Sequence, residues 1–268
     1  MTTKRKSHIK TGQKKMNAGS GQRDGKDYKP ALTVRSFGSR GKSSRIPGQT
    51  ASRTHHALST LEQGYVYILD MSLKIVDLKE QFALPLAETE AIARVLGVKH
   101  PTIPGREQEH AIMTTDFVLT VEDGVGKRTM ARTIKWASDL SSTRTLEKLE
   151  IERLFWLSKG VDWGILSEIE ISQILIKNCD LIHPRLNLEG LSLTETDIKN
   201  ATKILTKSII QKTIPLRQAA HDCDEKLGFE TGSSLAVAYY LMVHRIWKID
   251  LYEPLDTGKI LNVLSIKE

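Results

Sequence analysis

The chain has 268 residues, 40% of them hydrophobic, and a formal net charge of +7, which gives length for about two domains with apolar cores. Its two cysteines, Cys179 and Cys223, are too few and too widely spaced for a disulfide scaffold or a zinc ribbon. No apolar run reaches the roughly 18 residues that span a bilayer, and no apolar block follows the basic N-terminus, so we expect a soluble, cytoplasmic protein.

Positive charge is concentrated at the N-terminus. Residues 1–56 contain 14 Lys/Arg and 2 Asp/Glu, a net charge of +12, which leaves −5 for residues 57–268. The same segment holds 7 of the 18 glycines, and we expect residues 1–24 to form a disordered basic arm. Such an arm suits a phosphate-rich partner, and the alternative is a solvated tail without a binding role.

Helices and strands alternate in the first part of the chain, which predicts an α/β domain with a mixed sheet over residues 25–168. Helical or strand-like spacing of apolar residues locates each element. The predicted elements are a helix from Ser52 or Thr54 to Leu69, a strand Ile75–Phe82, a long connection Pro85–His110, strands Ile112–Val121 and Lys127–Trp136, a helix Thr143–Lys159 and a strand Val161–Leu166.

The remaining residues, 169–268, read as a helical domain with a two-stranded end, which predicts a winged helix. Its net charge is −1, and its predicted helix Ser233–Lys248 is apolar nearly throughout, whereas a DNA reader usually has a basic face. We therefore expect this domain to dock a protein partner. The predicted helices are Ile169–Ile182, Asp197–Ile210, Leu216–Leu227 with Gly228 as C-cap, and Ser233–Lys248, followed by a hairpin within Ile249–Leu264.

The hairpin of the first domain brings an acid and a lysine together. A turn centred between Gly124 and Val125 makes the numbers of opposed residues sum to 249, which places Asp116 opposite Thr133 and puts Lys135 on the same face. Acidic oxygens bind Mg²⁺, and a nearby ammonium stabilises charge on a reacting phosphate. The spacing alone equally fits solvated polar residues on a strand.

Several longer blocks carry a resemblance to a known family. They are GKDYKPALTV (25–34), THHALSTLE (54–62), VDLKEQF (76–82), KHP (99–101), MTTDF (113–117) and RTLEKLEIERLFW (144–156). In this order they resemble TnsA, the endonuclease subunit of heteromeric transposases. The resemblance implies a restriction-endonuclease-like fold with Glu62, Asp116 and Lys135 as catalytic residues. It also implies metal ligation by Glu62, Asp116, position 133 and the carbonyl of Ile134, and Thr133 stands where the family has Gln.

The same resemblance implies a function and partners. The chain would cut the 5′ strands at transposon ends with Mg²⁺, for which Mn²⁺ would substitute, while a TnsB-like transposase cuts and joins the 3′ strands. A TnsC-like ATPase would dock on residues 169–268. Two alternatives remain open at this point: a free-standing endonuclease of the restriction or resolvase type, and a catalytically degenerate DNA-binding adaptor of a transposition complex.

Other polar clusters have more ordinary interpretations. His55 and His56 are expected on the first helix, where neighbours diverge by about 100° and do not share a metal. Glu147, Glu150 and Glu152 are expected mostly on a solvated helix face, and one of the three, with Glu150 as the first candidate, is a residue that could reach the active site.

Overall fold

The computed structural model describes residues 23–34 and 43–267. The predicted disordered arm therefore lies outside the described residues, apart from Arg23 and Asp24. The chain divides into two compact units, the first ending at Ile171 and the second beginning at Ser172. No helix in the described part of the chain is long and apolar enough to cross a membrane.

The first unit combines helices with a mixed sheet. Its strands are β1 (Ser44–Pro47), β2 (Thr54–Ala57), β3 (Ile75–Ala83), β4 (Thr102–Ile103), β5 (Arg106–His110), β6 (Thr114–Asp123), β7 (Gly126–Ile134) and β8 (Asp162–Leu166). Its helices are α1 (Thr60–Asp70), α2 (Leu86–Leu96) and α3 (Thr143–Ser158).

The central sheet has the strand order β3-β6-β7-β8, and only the β7/β8 pair is parallel, which confirms the predicted mixed sheet. The β6/β7 register follows the predicted sum of 249 from Asp123↔Gly126 to Phe117↔Arg132. The ladder ends there, so the next residues towards the site, Asp116 and Thr133, lie just beyond its last pair. Apolar side chains of the sheet, of the residues next to its strands and of α2 and α3 form a core: Leu84, Ala93, Met113, Val118, Ala131, Ile151, Phe155 and Trp156.

The first helix is shorter than predicted. Residues Thr54–Ala57 form a strand paired with Ser44–Pro47, and α1 begins only at Thr60. The Ser59 side chain caps the helix by accepting a hydrogen bond from the Glu62 amide at 3.1 Å. The Ser59 cap fixes the start of α1, and pairing with β1 holds the preceding residues Thr54–Ala57 in a strand.

The predicted long connection is also wrong, because residues Leu86–Leu96 form α2 and a short hairpin follows it. Pro85 occupies the N-cap position, where a proline does not interrupt a helix, and Gly97 ends the helix with a left-handed φ of 67°. Proline and glycine here delimit a helix, whereas the prediction took them as signs of a loop.

The second unit contains α4 (Gln173–Ile182), α5 (Glu195–Gln211), α6 (Leu216–Leu227) and α7 (Ser233–Val243). Gly228 ends α6 in the left-handed conformation, as predicted. The last helix stops five residues early, because Trp247–Ile249 forms β9 and pairs antiparallel with β10 (Val263–Ile266). A two-stranded hairpin thus follows the helices, and the winged-helix interpretation of this unit stays a prediction.

Candidate active site

Asp116 is the centre of the site. It lies near the start of β6 and is 7% exposed. Its Oδ2 accepts hydrogen bonds from the backbone amide of Ile134 at 2.8 Å and from Lys135 Nζ at 2.9 Å. The carboxylate therefore bridges β6 to β7 at the point where the backbone ladder between these strands has ended.

Lys135 follows the last residue of β7 and is held by two oxygen atoms. Its Nζ donates to Asp116 Oδ2 and, at 2.8 Å, to the carbonyl of Ile134. Burial of the ammonium acts to lower its pKa, but the charge and hydrogen bond of Asp116, with the charges of Glu152 and Glu62, together outweigh burial and the pKa is raised. Lys135 is therefore a fixed positive charge whose side chain is still one-third exposed.

Glu62 reaches the site from the first turn of α1. Its carboxylate accepts hydrogen bonds from the Leu58 amide and the Ser59 hydroxyl, each at 3.0 Å. Burial and the nearby Asp116 charge raise the pKa of Glu62 to about 7. The structure thus brings Glu62, Asp116 and Lys135, the three predicted catalytic residues, into one site.

The two remaining predicted metal-site residues differ in their surroundings. The Ile134 carbonyl faces the Lys135 ammonium at the site. Thr133 is 1% exposed, and its hydroxyl donates to the Glu152 carboxylate. The Thr133 hydroxyl is therefore engaged by Glu152, and its role as a metal ligand stays a prediction.

Glu152 was missed by the sequence analysis, which expected Glu150 to approach the site. Glu150 instead pairs with Arg153 on the surface at 2.7 Å. Glu152 is buried and accepts hydrogen bonds at Oε1, and burial followed by the Asp116 charge raises its pKa to about 7. Its spacing of three and four residues from the buried Phe155 and Trp156 would have indicated the inward face of α3. The donors are Thr115, Thr133 and Trp163.

Gln81 is a second residue that was missed. It is 2% exposed on β3, and its Nε2 lies 3.1 Å from Asp116 Oδ1 and 3.4 Å from Glu62 Oε2. The side-chain amide thus joins the two acids of the site. The family block 76–82 contains it, but nothing in the block distinguished it from a solvated strand residue.

The adjacent histidines lie on β2 and not on a helix, which corrects the prediction for this pair. His55 is fully buried, and its Nδ1 lies 3.0 Å from Glu80 Oε2. Glu80 also accepts two hydrogen bonds from the Arg53 guanidinium. His55 therefore belongs to a buried ion-pair network next to Gln81.

A magnesium ion, which the family resemblance implies, suits the donor atoms of this site. Within residues 23–34 and 43–267, no cluster of three or more His, Cys, Asp or Glu is arranged to hold a metal. The site offers instead the carboxylates of Glu62 and Asp116 and the carbonyl of Ile134, and these oxygens are contacted by the N–H donors of Lys135 and Gln81. A hard cation that keeps several waters needs only a few such oxygen ligands.

Comparison with known proteins covers both units of the chain. The family model described as "TnsA-like endonuclease N terminal" matches residues 72–168, and that described as "TnsA endonuclease C terminal" matches residues 170–251. The chain is also 38% identical to the "Transposon Tn7 transposition protein TnsA" of Escherichia coli over 246 residues, which are 92% of this chain and 88% of that protein. The likeness therefore extends well beyond the residues of the site.

Proposed function

Since the chain belongs to the TnsA endonuclease family, we propose that it cuts the 5′ strands at the ends of a transposon during cut-and-paste transposition. The observation that supports this most is the contact of Asp116 with both the Ile134 amide and the Lys135 ammonium, beside Glu62. That arrangement joins two acids and a lysine, the side chains that phosphodiester hydrolysis uses.

Each of the three side chains has a proposed role. Glu62, Asp116 and the Ile134 carbonyl would hold Mg²⁺, or Mn²⁺ in its place, and a cation bound there would polarise the phosphate and lower the pKa of a bound water. Lys135 orients the attacking water and stabilises negative charge on the phosphate, because its ammonium is fixed beside Asp116 and stays charged.

The second unit is proposed to bind protein partners and to contribute little to DNA binding. We propose that residues 172–268 form a winged-helix-like domain that docks a TnsC-like ATPase, while a TnsB-like transposase acts on the 3′ strands. The near-neutral charge of this unit and the burial of most of α7 support this division. The two cysteines are buried and unpaired, which suits a reducing compartment, and we propose the cytoplasm as the place of action.

Reconstitution with DNA that carries transposon ends tests the proposed function. The purified chain is incubated with Mg²⁺ alone, then with the TnsB-like and TnsC-like proteins, and breaks are mapped separately on each strand. We expect breaks on the 5′ strands only in the complete mixture. Cutting of DNA by the chain alone would favour a free-standing endonuclease, and a complete mixture without 5′ breaks would favour an adaptor.

A further inference from the structure

Gln81 stands opposite Asp116 across two antiparallel strands. The register of β3 and β6 pairs Glu80 with Phe117 and Phe82 with Thr115, so Gln81 and Asp116 face each other between these pairs. Its amide nitrogen contacts Asp116 Oδ1 and Glu62 Oε2. An uncharged donor therefore occupies the space between two acids that would otherwise repel each other.

The backbone at this residue is unusual for a strand. Gln81 has a φ of 49°, in the left-handed region that residues other than glycine rarely adopt. Its carbonyl accepts a hydrogen bond from the Ala31 amide at 3.1 Å, and the preceding carbonyl, of Glu80, accepts one from Tyr28 Oη at 2.9 Å. Strained backbone of this kind persists where neighbouring contacts hold it, and it is concentrated at functional sites.

The side-chain amide of Gln81 has a second hydrogen-bond partner, and this partner allows the amide oxygen and nitrogen to exchange places. Gln81 Oε1 accepts a hydrogen bond from the Thr114 hydroxyl at 3.1 Å. A hydroxyl can accept as well as donate, so rotation of the amide by 180° would let Nε2 donate to Thr114. The carbonyl oxygen would then face Glu62 and Asp116 without loss of a hydrogen bond to Thr114.

We propose that Gln81 supplies the side-chain amide of the metal site, bridging Glu62 and Asp116 through its nitrogen when no cation is bound and ligating the cation through its oxygen when one is. This inference rests on the proposed function, because it requires that these acids bind a divalent cation.

Mn²⁺ binding to the full-length chain, measured by isothermal titration calorimetry without DNA, tests the proposal. Gln81→Asn is the sharper variant, because asparagine tolerates left-handed backbone but its amide is one methylene shorter. Gln81→Glu keeps the length and an oxygen ligand but removes the donor. We expect the Asn variant to bind Mn²⁺ at least tenfold more weakly than the wild type. The Glu variant should bind at least as tightly, with a lower metal-free Tm and a larger rise in Tm on adding Mn²⁺.

Asp116→Asn separates failure of this proposal from failure of the proposed function. If the wild type binds Mn²⁺ no better than Asp116→Asn, the site is not a metal site and the proposed function fails with it. If Asp116→Asn loses Mn²⁺ while Gln81→Asn keeps wild-type affinity, only the role of Gln81 is overturned. Weaker binding by Gln81→Glu than by the wild type would overturn that role equally, because a carboxylate of the same length still offers an oxygen.

Discussion

The Glu152 carboxyl group is buried against the sheet and close enough to Asp116 for the two charges to interact. Burial and that charge raise the pKa of Glu152 to about 7, and burial raises the pKa of Glu62 to a similar value. A carboxyl whose pKa is raised by folding binds its proton more tightly in the folded state. Its stabilising effect is complete below the unfolded pKa, about 4.5, and is lost as the pH rises through about 7.

The metal-free protein is therefore expected to lose stability between about pH 4.5 and pH 7. Glu152→Gln should remove one of the two contributions, because the neutral amide keeps an oxygen to accept hydrogen bonds from Thr115, Thr133 and Trp163. We expect this variant to be more stable than the wild type at pH 8, by roughly 1–3 kcal/mol, with little difference at pH 4.5. Urea unfolding in EDTA at a series of pH values measures this difference in the free energy of unfolding.

Glu150→Gln is the matched control, because Glu150 lies on the exposed side of the same helix and pairs with Arg153. The free energy of unfolding of Glu150→Gln should depend on pH as that of the wild type does. If Glu152→Gln also follows the wild type at every pH, Glu152 does not titrate in this range and the argument from its burial is wrong.

Parts of the site could be predicted from sequence because they follow from local geometry. The position of Asp116 relative to Lys135 follows from the turn of one hairpin, and Glu62 came from the family resemblance. The helical spacing of Glu152 from Phe155 and Trp156 indicates the inward face of α3, but no local pattern shows that this side chain or Gln81 reaches the site. Their places depend on how α3 and β3 pack on that hairpin.

Strands β2 and β3 are joined by a buried ion pair. The Arg53 guanidinium donates to both oxygens of Glu80, and His55 and the His56 amide also contact this carboxylate. Burial acts to raise the pKa of Glu80, but the hydrogen bonds and charges of Arg53 and His55 together outweigh burial and the pKa is about 2. The network fixes Glu80, the residue before Gln81 on β3, and so stabilises the backbone next to the candidate site.

Glu80→Gln is expected to destabilise the protein by about 3 kcal/mol at pH 7, because it leaves the buried Arg53 guanidinium without a counter-charge. Asp24→Asn is the control. It removes an ion pair with Lys79 in which the Asp24 side chain is 83% exposed, and it should change stability by less than about 0.5 kcal/mol. Urea unfolding of both variants measures the difference, and equal effects would contradict the assignment of the Glu80 network as a structural anchor.

Local signals at the ends of an element did not suffice to predict it, because α2 is bounded by a proline and a glycine as α6 is, and its residues were taken as a loop. Helix α6 was predicted at Leu216–Leu227 and is found there, since a proline precedes it and Gly228 ends it. The strand Thr54–Ala57 was taken as helix, because its stability comes from pairing with β1 and from the burial of His55. Contacts with residues distant in sequence, which a local pattern does not contain, decided its structure.

The two ends of the chain differ strongly in net charge. Residues 1–56 carry +12 and residues 169–268 carry −1. Non-specific affinity for DNA is therefore expected to come mainly from the N-terminal segment and to fall steeply with salt, because phosphate contacts release counterions. With about six such contacts, log K against log salt should have a slope of roughly −5 on duplex DNA.

Two truncations test whether the N-terminal segment binds DNA and the second unit binds the ATPase. Deleting residues 1–22, which contain six Lys/Arg and no Asp/Glu, should weaken DNA binding and flatten the salt dependence. Deleting residues 172–268 should preserve most of the DNA affinity and abolish association with the TnsC-like ATPase. Binding isotherms over a salt series measure both. The opposite pattern, in which the C-terminal deletion loses DNA and keeps the ATPase, would reverse the roles of the two ends.

Strand-specific mapping of breaks at transposon ends tests the assignment of Asp116 and Lys135 most directly. In the complete mixture, Asp116→Asn and Lys135→Met should each leave 3′ breaks intact and lower 5′ cutting by at least about a hundredfold, because each removes a charge at the reacting phosphate. Lys135→Met should still bind Mn²⁺, since Lys135 donates to Asp116 and Ile134 and contributes no ligand. Wild-type 5′ cutting by either folded variant would contradict the proposed active site.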